Sequence, residues 1–566
     1  MPVSLLFRRV SFFLVLLALT VVTQAPAASR VDTLATAMTL EEKVGQLFMV
    51  WFQGPKLSDD LVELIRDRHV GGFILYSLPG NIESPGQVAK LTSDLQAQAA
   101  KTSRGLGLLV GVDQEGGPVA RLRQGVTLFP SQMAQAATGR ADLVRLAATI
   151  TGQELTTLGI NVDFAPVADV NINPANPVIG IRSFGSDPAL VARLTAAATA
   201  GYGAAGIICT PKHFPGHGDT NVDSHVGLPV VTHDAATLGK VDFPPFRAAF
   251  AAKAPAVMTA HVLIPGLTAN DLPATLSPRI LHGILRGRLG FDGVIFSDSL
   301  GMGAVANRYG TAEAAVMALA AGADVLLIGA DAGRSLAERL EAMDRVVEAV
   351  RQERVPLARL DAAVTRVLRL KERFGLLDAS RLATPVANLD RRVGTAAHLE
   401  VARRIAQRSL TALNLDKRLL PLPAQTDTVL VRPKSGRETL DKPAEAALAQ
   451  WPGVTTVFAP ADPDPETIQD LAAKAASARH VVFLSTNAGR QPGQIRLAEA
   501  LAKTAPDRLV LVAAESPYDL PVLPKAPVRL ALYGETPVGL DALHKALFTP
   551  FRFTGRCPAR LETVAP

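Results

Sequence analysis

Short apolar segments alternate with helical stretches between residues 35 and 378, and this alternation constrains the fold more than any other feature. Seven of these segments read as strands: 72–76, 107–112, 161–165, 206–210, 256–259, 293–296 and 324–328. Strands that alternate with helices form a parallel sheet, and seven or eight such repeats favour a closed (β/α)₈ barrel of the TIM type. An open doubly wound sheet is the alternative, but YSLPG at 76–80 stands where its glycine-rich phosphate loop should follow the first strand.

A second, smaller α/β unit follows the first. A helix is predicted over 357–374, where Val364, Val367 and Leu368 recur at helical spacing, and Gly375 after it is typical of helix ends. We assign residues 30–378 to the barrel, 379–396 to a linker, and 397–566 to a C-terminal α/β domain with a mostly parallel sheet. Its predicted elements are helices at 397–413 and 467–476, with strands at 428–431, 480–484, 508–512 and 528–532.

The first 27 residues read as a signal peptide. Arg8 and Arg9 precede an apolar run over 10–22, and the small residues Ala25 and Ala27 form a cleavage site after it. The run is shorter than the ~20 residues of a membrane-spanning helix. We therefore expect cleavage rather than a retained anchor, no stable membrane span afterwards, and export to the periplasm or the medium.

Charge and cysteine content exclude several classes of protein. The formal net charge of +6 is small for 566 residues, and no run of lysines and arginines resembles a nucleic-acid-binding patch. A weakly basic surface suits an anionic polymer such as cell wall, but a plain solvated surface with no partner is the favoured interpretation. Cys209 and Cys557 are too few and too far apart for a disulfide framework, and whether they form a single bridge stays open.

Polar residues gather at the carboxyl ends of the predicted strands, where a barrel of this kind places its active site. Asp113 follows the strand at 107–112, and Asp298 follows the strand at 293–296. The loop after the strand at 206–210 reads KHFPGHGDTNVDSH over residues 212–225. We expect these segments to meet at one site.

The histidine-rich loop has two chemical interpretations. His213 and His217 are four residues apart, but the proline and glycine between them oppose the helix that a metal site of this spacing needs, so we predict no metal. Asp223 and His225 are separated by one residue, which in an extended loop lets the carboxylate bond one ring nitrogen. That bond raises the basicity of the other nitrogen, which can then give and take a proton. A purely structural loop is the alternative.

Asp298 directly follows an apolar strand, so its carboxylate is expected to point into the mouth of the barrel. A carboxylate there can attack the anomeric carbon of a sugar or serve as general base for water. The alternative is a helix N-cap, for which Ser297 and Ser299 are equally competent.

Taken together, these segments resemble glycoside hydrolase family 3, and specifically its β-N-acetylhexosaminidase branch. The resemblance extends over about residues 34–377. It rests on MTLEEKVGQL at 38–47, GVDQEGG at 111–117, RSFG at 182–185, KHFPGHGDT at 212–220, DSH at 223–225 and FSDSLGM at 296–302. Pro118 and Cys209 depart from the residues usual in the branch at their positions.

The resemblance implies a role for each matched residue. Asp298 matches the nucleophile, His225 the acid/base, and Asp223 its partner in a dyad. The residues that hold the hydroxyls of the terminal sugar are matched by Asp113, Arg182, Lys212 and His213. Neither a metal nor another cofactor is implied.

The implied activity is retaining hydrolysis that releases terminal β-linked N-acetylglucosamine from peptidoglycan fragments or chitin-type oligosaccharides. A β-glucosidase of the same family, a phosphorylase and a non-catalytic wall-binding protein are the alternatives. The DSH segment argues against the β-glucosidase alternative, because family 3 β-glucosidases take their acid/base, a glutamate, from the second domain. No matched catalytic residue lies beyond Asp298, so residues 391–566 are predicted to supply no catalytic group.

Overall fold

The computed structural model of the chain describes residues 29–561, apart from 269–270, 332–334, 383–387 and 424–426. The signal peptide predicted over 1–27 lies outside the described residues, as does part of the predicted linker at 379–396. The described part contains two six-stranded sheets, one in each of two α/β units. All pairings in the first sheet are parallel, and all but one in the second. Within this part, no helix has the length and apolar character that crossing a membrane requires.

The first unit is built on short strands that are buried on both faces. Its strands are β1 (Phe48–Val50), β2 (Gly72–Ile74), β3 (Leu109–Val112), β4 (Gln114–Gly116), β5 (Val119–Ala120), β6 (Val162–Asp163), β7 (Ile208–Cys209), β8 (Ala256–Met258), β9 (Val294–Phe296) and β10 (Leu326–Ile328). Strands β4 and β5 form a separate antiparallel pair, and the other eight pair only in parallel.

The parallel strands form two sheets whose edges are linked. One sheet has the order β10-β1-β2-β3-β6-β7, and β8 pairs with β9 in the other. Single parallel bridges join Phe214 to Thr259 beyond the ends of β7 and β8, and Phe296 of β9 to Val325 beside β10. The α/β class with parallel sheets, predicted from the alternation, is therefore confirmed.

Helices connect successive strands of the first unit. They are α1 (Arg30–Ala37), α2 (Leu40–Gln46), α3 (Asp59–Arg66), α4 (Pro85–Ala99), α5 (Gln132–Ala137), α6 (Ala141–Thr157), α7 (Pro188–Ala205), α8 (Ala235–Lys240), α9 (Phe243–Ala251), α10 (Gly303–Tyr309), α11 (Thr311–Ala321), α12 (Ala337–Arg351) and α13 (Leu357–Arg373), with a π-helix at Arg279–Arg288. The helix predicted over 357–374 is α13, and Gly375 at φ 73° provides the left-handed residue that ends it.

The second unit begins with α14 and carries its own sheet. Its elements are α14 (Ala396–Ser409), β11 (Thr411–Leu415), β12 (Thr428–Pro433), α15 (Glu438–Leu448), β13 (Val454–Ala459), α16 (Pro465–Ser477), β14 (His480–Ser485), α17 (Pro492–Thr504), β15 (Leu509–Ala513), β16 (Val528–Ala531) and α18 (Pro537–Phe548). The order is β11-β16-β15-β14-β12-β13, and only β11 runs antiparallel to its neighbour.

The prediction of a helix over 397–413 is wrong at its end. The helix stops at Ser409, and Thr411 begins strand β11, which pairs with the edge of β16. Leu410 already has an extended backbone at φ −53° and ψ 120°. Pairing across the sheet outweighs the modest helix preference of this segment, which local periodicity cannot reveal.

A shared hydrophobic cluster joins the two units. Phe129, Leu143 and Ile150 of the first unit pack in one cluster with residues of the second, including Ala402 and Ile405 of α14. Burying apolar side chains from both sides stabilises the contact by about 25 cal/mol for each Å² removed from water. This cluster holds the second unit against α6 and the segment around Phe129.

Candidate active site

A cavity of about 610 Å³ opens at the carboxyl ends of the first unit's strands. Polar side chains from the loops after these strands line it: Tyr76, Asp113, Arg121, Arg182, Lys212, His213, His217, Ser224, His225, Asp298, Ser299, Asn307 and Asp331. Six of the seven residues predicted for the site line this cavity, and the seventh, Asp223, lies behind His225. Among the described residues, none beyond Asp331 lines the cavity.

One wall of the cavity is a cluster of buried, paired charges. Lys212 Nζ lies 2.7 Å from Asp113 Oδ1 and 2.8 Å from Glu115 Oε1. Arg182 binds both oxygens of Glu115, at 2.7 Å from Nη2 and 2.9 Å from Nε. Because each buried charge has a partner of opposite sign, these side chains are held in fixed positions.

The carboxylates of this cluster stay ionised. Burial by itself would raise the pKa of Asp113, but the charges of Lys212 and Arg121 outweigh it and hold the pKa below its usual value. Burial opposes ionisation of Glu115 too, and Arg182 with Lys212 lowers its pKa. Ionised Asp113, partly open to the cavity, can therefore accept hydrogen bonds from hydroxyl groups.

Asp169 orients the start of the histidine-rich loop. Its Oδ2 lies 2.7 Å from His213 Nδ1, and its Oδ1 accepts hydrogen bonds from the backbone N–H groups of His213 and His217. With Nδ1 engaged, His213 Nε2 is left toward the cavity, 3.5 Å from Arg182 Nη2. The buried Asp169 thus fixes which nitrogen of His213 a ligand can meet.

The hydrogen bond predicted between Asp223 and His225 is present. His225 Nδ1 lies 2.7 Å from Asp223 Oδ1, which also accepts the backbone N–H of His225 at 2.9 Å. This bond lowers the pKa of Asp223 to about 2 and raises the pKa of His225 above its usual value. Because Asp223 takes Nδ1, Nε2 is the nitrogen that can serve a ligand in the cavity.

The first turn of α10 anchors the end of this loop. The backbone N–H of Gly303 donates to the carbonyl of His225 at 3.2 Å, and that of Ala304 to the carbonyl of Ser224 at 3.1 Å. These are amides that a helix start leaves without intrahelical partners. A Cβ on Gly303 would lie 2.7 Å from the carbonyl oxygen of His225, so only glycine allows this approach.

Asp298 lies just past β9 and does not cap a helix. The next helix, α10, begins at Gly303 with Met302 in the N-cap position, so the capping alternative is wrong. Asp298 Oδ1 accepts the backbone N–H of Ser299 at 2.8 Å. Burial opposes the ionisation of Asp298, but the electrostatic influence of His261 and His213 is stronger and lowers its pKa. It is therefore a carboxylate at neutral pH.

Sequence reasoning did not assign Glu115, Asp169 or Asp331 to the site. Glu115 stands in the quoted segment 111–117, and its pairing with Lys212 and Arg182 appears only in three dimensions. Asp169 follows β6, and Asp331 follows β10, where Ser299 Oγ donates to it. The rule that drew attention to Asp113 and Asp298, polar residues just after strands, would have found Asp331 but not Asp169, which lies well beyond the end of β6.

Residues 39–370 match the glycosyl hydrolase family 3 N-terminal domain. This match spans more than half of the chain. The chain belongs to glycosyl hydrolase family 3. The family resemblance drawn from the motifs is therefore confirmed.

Relatives in family 3 include full-length and partial matches. Beta-hexosaminidase A of Pseudoalteromonas piscicida is 35% identical over 65% of this chain, which covers 63% of that relative. A protein of Cellulomonas fimi named beta-N-acetylglucosaminidase/beta-glucosidase is 31% identical over 93% of this chain and 95% of its own length. The solved structure of a family 3 beta-N-acetylglucosaminidase from Paenibacillus sp. str. FPU-7 matches with 39% identity and a TM-score of 0.86, covering 94% of this chain and all of that one.

Proposed function

We propose that the chain is a retaining glycoside hydrolase that releases terminal β-linked N-acetylglucosamine. The observation that carries the proposal is the Asp223–His225 pair at a cavity that also holds the ionised Asp298. A carboxylate and a tuned imidazole facing one space are the nucleophile and the proton carrier that two-step glycoside cleavage needs. The activities for which the three relatives are named are consistent with it.

The proposed first step joins Asp298 to the sugar. A carboxylate oxygen of Asp298 attacks the anomeric carbon while the bond to the leaving oxygen breaks, and the Nε2 proton of His225 passes to that oxygen. The products are a covalent glycosyl-enzyme, a neutral imidazole and the departing alcohol. Asp223 holds the ring and stabilises its protonated form before the transfer.

The second step reverses the roles. Neutral His225 takes a proton from water, whose oxygen attacks the anomeric carbon and releases Asp298 as carboxylate. Two displacements restore the starting β-configuration. Asp113, Arg182, Lys212 and His213 are proposed to hold the sugar hydroxyls. Their polar side chains suit this role, because ion pairs and the hydrogen bond between Asp169 and His213 hold them in fixed positions.

We also infer that the eight parallel strands of the first unit close into a (β/α)₈ barrel. Closure is supported by the pairing of β10 with β1, by the bridge between Phe214 and Thr259 beyond β7 and β8, and by the bridge from Phe296 of β9 to Val325 beside β10. Closure would gather the loops after all eight strands around the cavity, as in barrels of this class.

The proposed substrates are exported or extracellular sugar chains. Peptidoglycan fragments and chitin-type oligosaccharides end in the same sugar, and the signal peptide predicted at 1–27 favours a substrate outside the cytoplasm. β-Glucoside hydrolysis is a second candidate, because the Cellulomonas fimi relative carries both activities in its name.

Paired chromogenic substrates test the proposal. We expect p-nitrophenyl β-N-acetylglucosaminide to be hydrolysed with a higher kcat/KM than p-nitrophenyl β-glucoside at equal conditions. Release of p-nitrophenol measures turnover, and the sugar product formed with added phosphate, free sugar or sugar 1-phosphate, separates hydrolysis from phosphorolysis. A preference for the glucoside, or no turnover of either by the folded protein, contradicts the proposed function.

The dyad predicts a pH effect with a definite sign. Because the hydrogen bond to Asp223 raises the pKa of His225, the protonated acid should persist to a pH above the ordinary histidine value. For a poor leaving group, kcat/KM should therefore fall only as the pH rises through that elevated pKa. Asp223→Asn removes the charge that favours imidazolium, so this basic limb should move to lower pH. An unmoved limb in an active variant would contradict the pairing.

A further inference from the structure

The second unit contacts one loop of the first unit on the side of that loop that faces away from the cavity. This loop, residues 164–187, follows β6 and is called the β6 loop below. Val178, Ile179 and Arg182 on its inner side line the cavity. Its outer side meets the second unit, although none of the described residues of that unit reaches the cavity itself.

Among the described residues, three parts of the second unit form hydrogen bonds with the β6 loop. The hydroxyl of Tyr518 donates to the carbonyl of Asn171 at 3.0 Å and accepts from its Nδ2 at 3.0 Å. The C-terminal segment packs against Gly185, the last residue of RSFG, and the backbone N–H of the next residue, Ser186, donates to the Pro558 carbonyl at 3.1 Å. The third contact is Arg490, which lies just before α17.

Arg490 binds the middle of the β6 loop. Its Nη2 donates to the carbonyl of Ala175 at 2.9 Å, and its Nη1 approaches the carbonyl of Pro177 at 3.4 Å. One planar guanidinium thus spans the two carbonyls that flank Asn176. A lysine in its place could not hold both with the same geometry.

Asn176, which lies between these two carbonyls, forms hydrogen bonds with the histidine-rich loop. Its Nδ2 donates to the carbonyl of His217 at 2.8 Å and to Thr220 Oγ1 at 3.2 Å. His217 Nε2 in turn lies 3.1 Å from the hydroxyl of Ser224, the residue before His225. Hydrogen bonds, joined by the backbone on either side of Asn176 and by the side chain of His217, therefore connect Arg490 to Ser224, the residue before His225.

We infer that Arg490 is a positioning residue: through Ala175, Pro177 and Asn176 it holds the histidine-rich loop so that His225 can transfer its proton. The inference rests on the proposed function of His225. It gives the second unit a part in the reaction although none of its described residues lines the cavity. The dyad itself is half-exposed, with 59% of the His225 side chain open to solvent, so support from outside its own loop matters.

Substrates with different leaving groups separate positioning from plain structural support. Arg490→Met should lower kcat/KM about tenfold or more for an alkyl β-N-acetylglucosaminide, because small displacements of a catalytic group cost large factors in rate. The 2,4-dinitrophenyl glycoside needs no proton in the first step and should lose less than about threefold. Arg490→Lys keeps the charge and one donor nitrogen, so it should also slow the alkyl glycoside more than the 2,4-dinitrophenyl glycoside, with a smaller loss of kcat/KM. Arg496→Met, on an exposed residue of α17, is the control and should change neither rate.

Asn176→Ala tests the route. If Arg490 acts through Asn176, the double variant should lose little more than the worse single variant, whereas independent effects would multiply. Equal losses for both leaving groups, or no loss in folded Arg490→Met and Arg490→Lys, would overturn the inference. If the wild type prefers another glycoside, the same ratio measured with that glycoside still tests Arg490 and leaves the sugar preference as a separate failure.

Discussion

Asp298→Asn is expected to abolish turnover while the protein keeps its fold. The amide has the size of the carboxylate, and its oxygen can still accept the backbone N–H of Ser299. It cannot form the glycosyl-enzyme, because a neutral amide is a poor nucleophile toward the anomeric carbon. We expect kcat to fall by at least about a thousandfold, in line with the loss of other covalent nucleophiles. Steady-state kinetics and thermal unfolding of the variant are the measurements.

Asp292→Asn is the matched control. Asp292 is exposed just before β9, at the opposite end of that strand from Asp298, and its replacement should leave kcat unchanged. In the wild type, a 2-fluoro sugar with a good leaving group should label Asp298, and the first-formed product should be the β-anomer. Label on Asp113 or Asp331, which line the same cavity, would assign the nucleophile elsewhere.

Strands could be predicted from the sequence wherever an apolar run was separated from the apolar residues of the adjacent helices. All seven strands expected in the first unit are present, each a little shorter than predicted. Strand β1 was missed because its apolar residues continue those of α2 without a break, so helical and strand periodicity merge. In the second unit β11 and β13 were missed: both lie at sheet edges, where partial burial leaves a weaker apolar pattern.

The site was predictable where its residues are contiguous. Asp223 and His225 are two positions apart, so their hydrogen bond could be expected from local spacing alone. Lys212 and Glu115 are far apart in sequence, and their ion pair follows from two neighbouring loops in the fold. The support from Arg490 depends on how the second unit packs, which no local pattern encodes.

His225→Ala is expected to slow substrates in proportion to how much their leaving group needs a proton. For alkyl or sugar leaving groups, kcat/KM should fall by roughly 10²–10⁴, the range that general acid catalysis supplies. For the 2,4-dinitrophenyl glycoside, the first step needs no acid, so kcat/KM should change little. Plotting log kcat/KM against leaving-group pKa should give a much steeper slope for the variant than for the wild type.

Asp223→Ala should steepen the same plot less, because His225 remains but loses the partner that raises its pKa. His282→Ala, which removes an exposed histidine of the π-helix that does not line the cavity, is the control and should leave the slope unchanged. Added azide should restore the second step of His225→Ala, since an anion can attack the glycosyl-enzyme without a general base. If good and poor leaving groups slowed equally, His225 would hold the loop and carry no proton, and the acid of this site would have to be sought among the other groups facing Asp298.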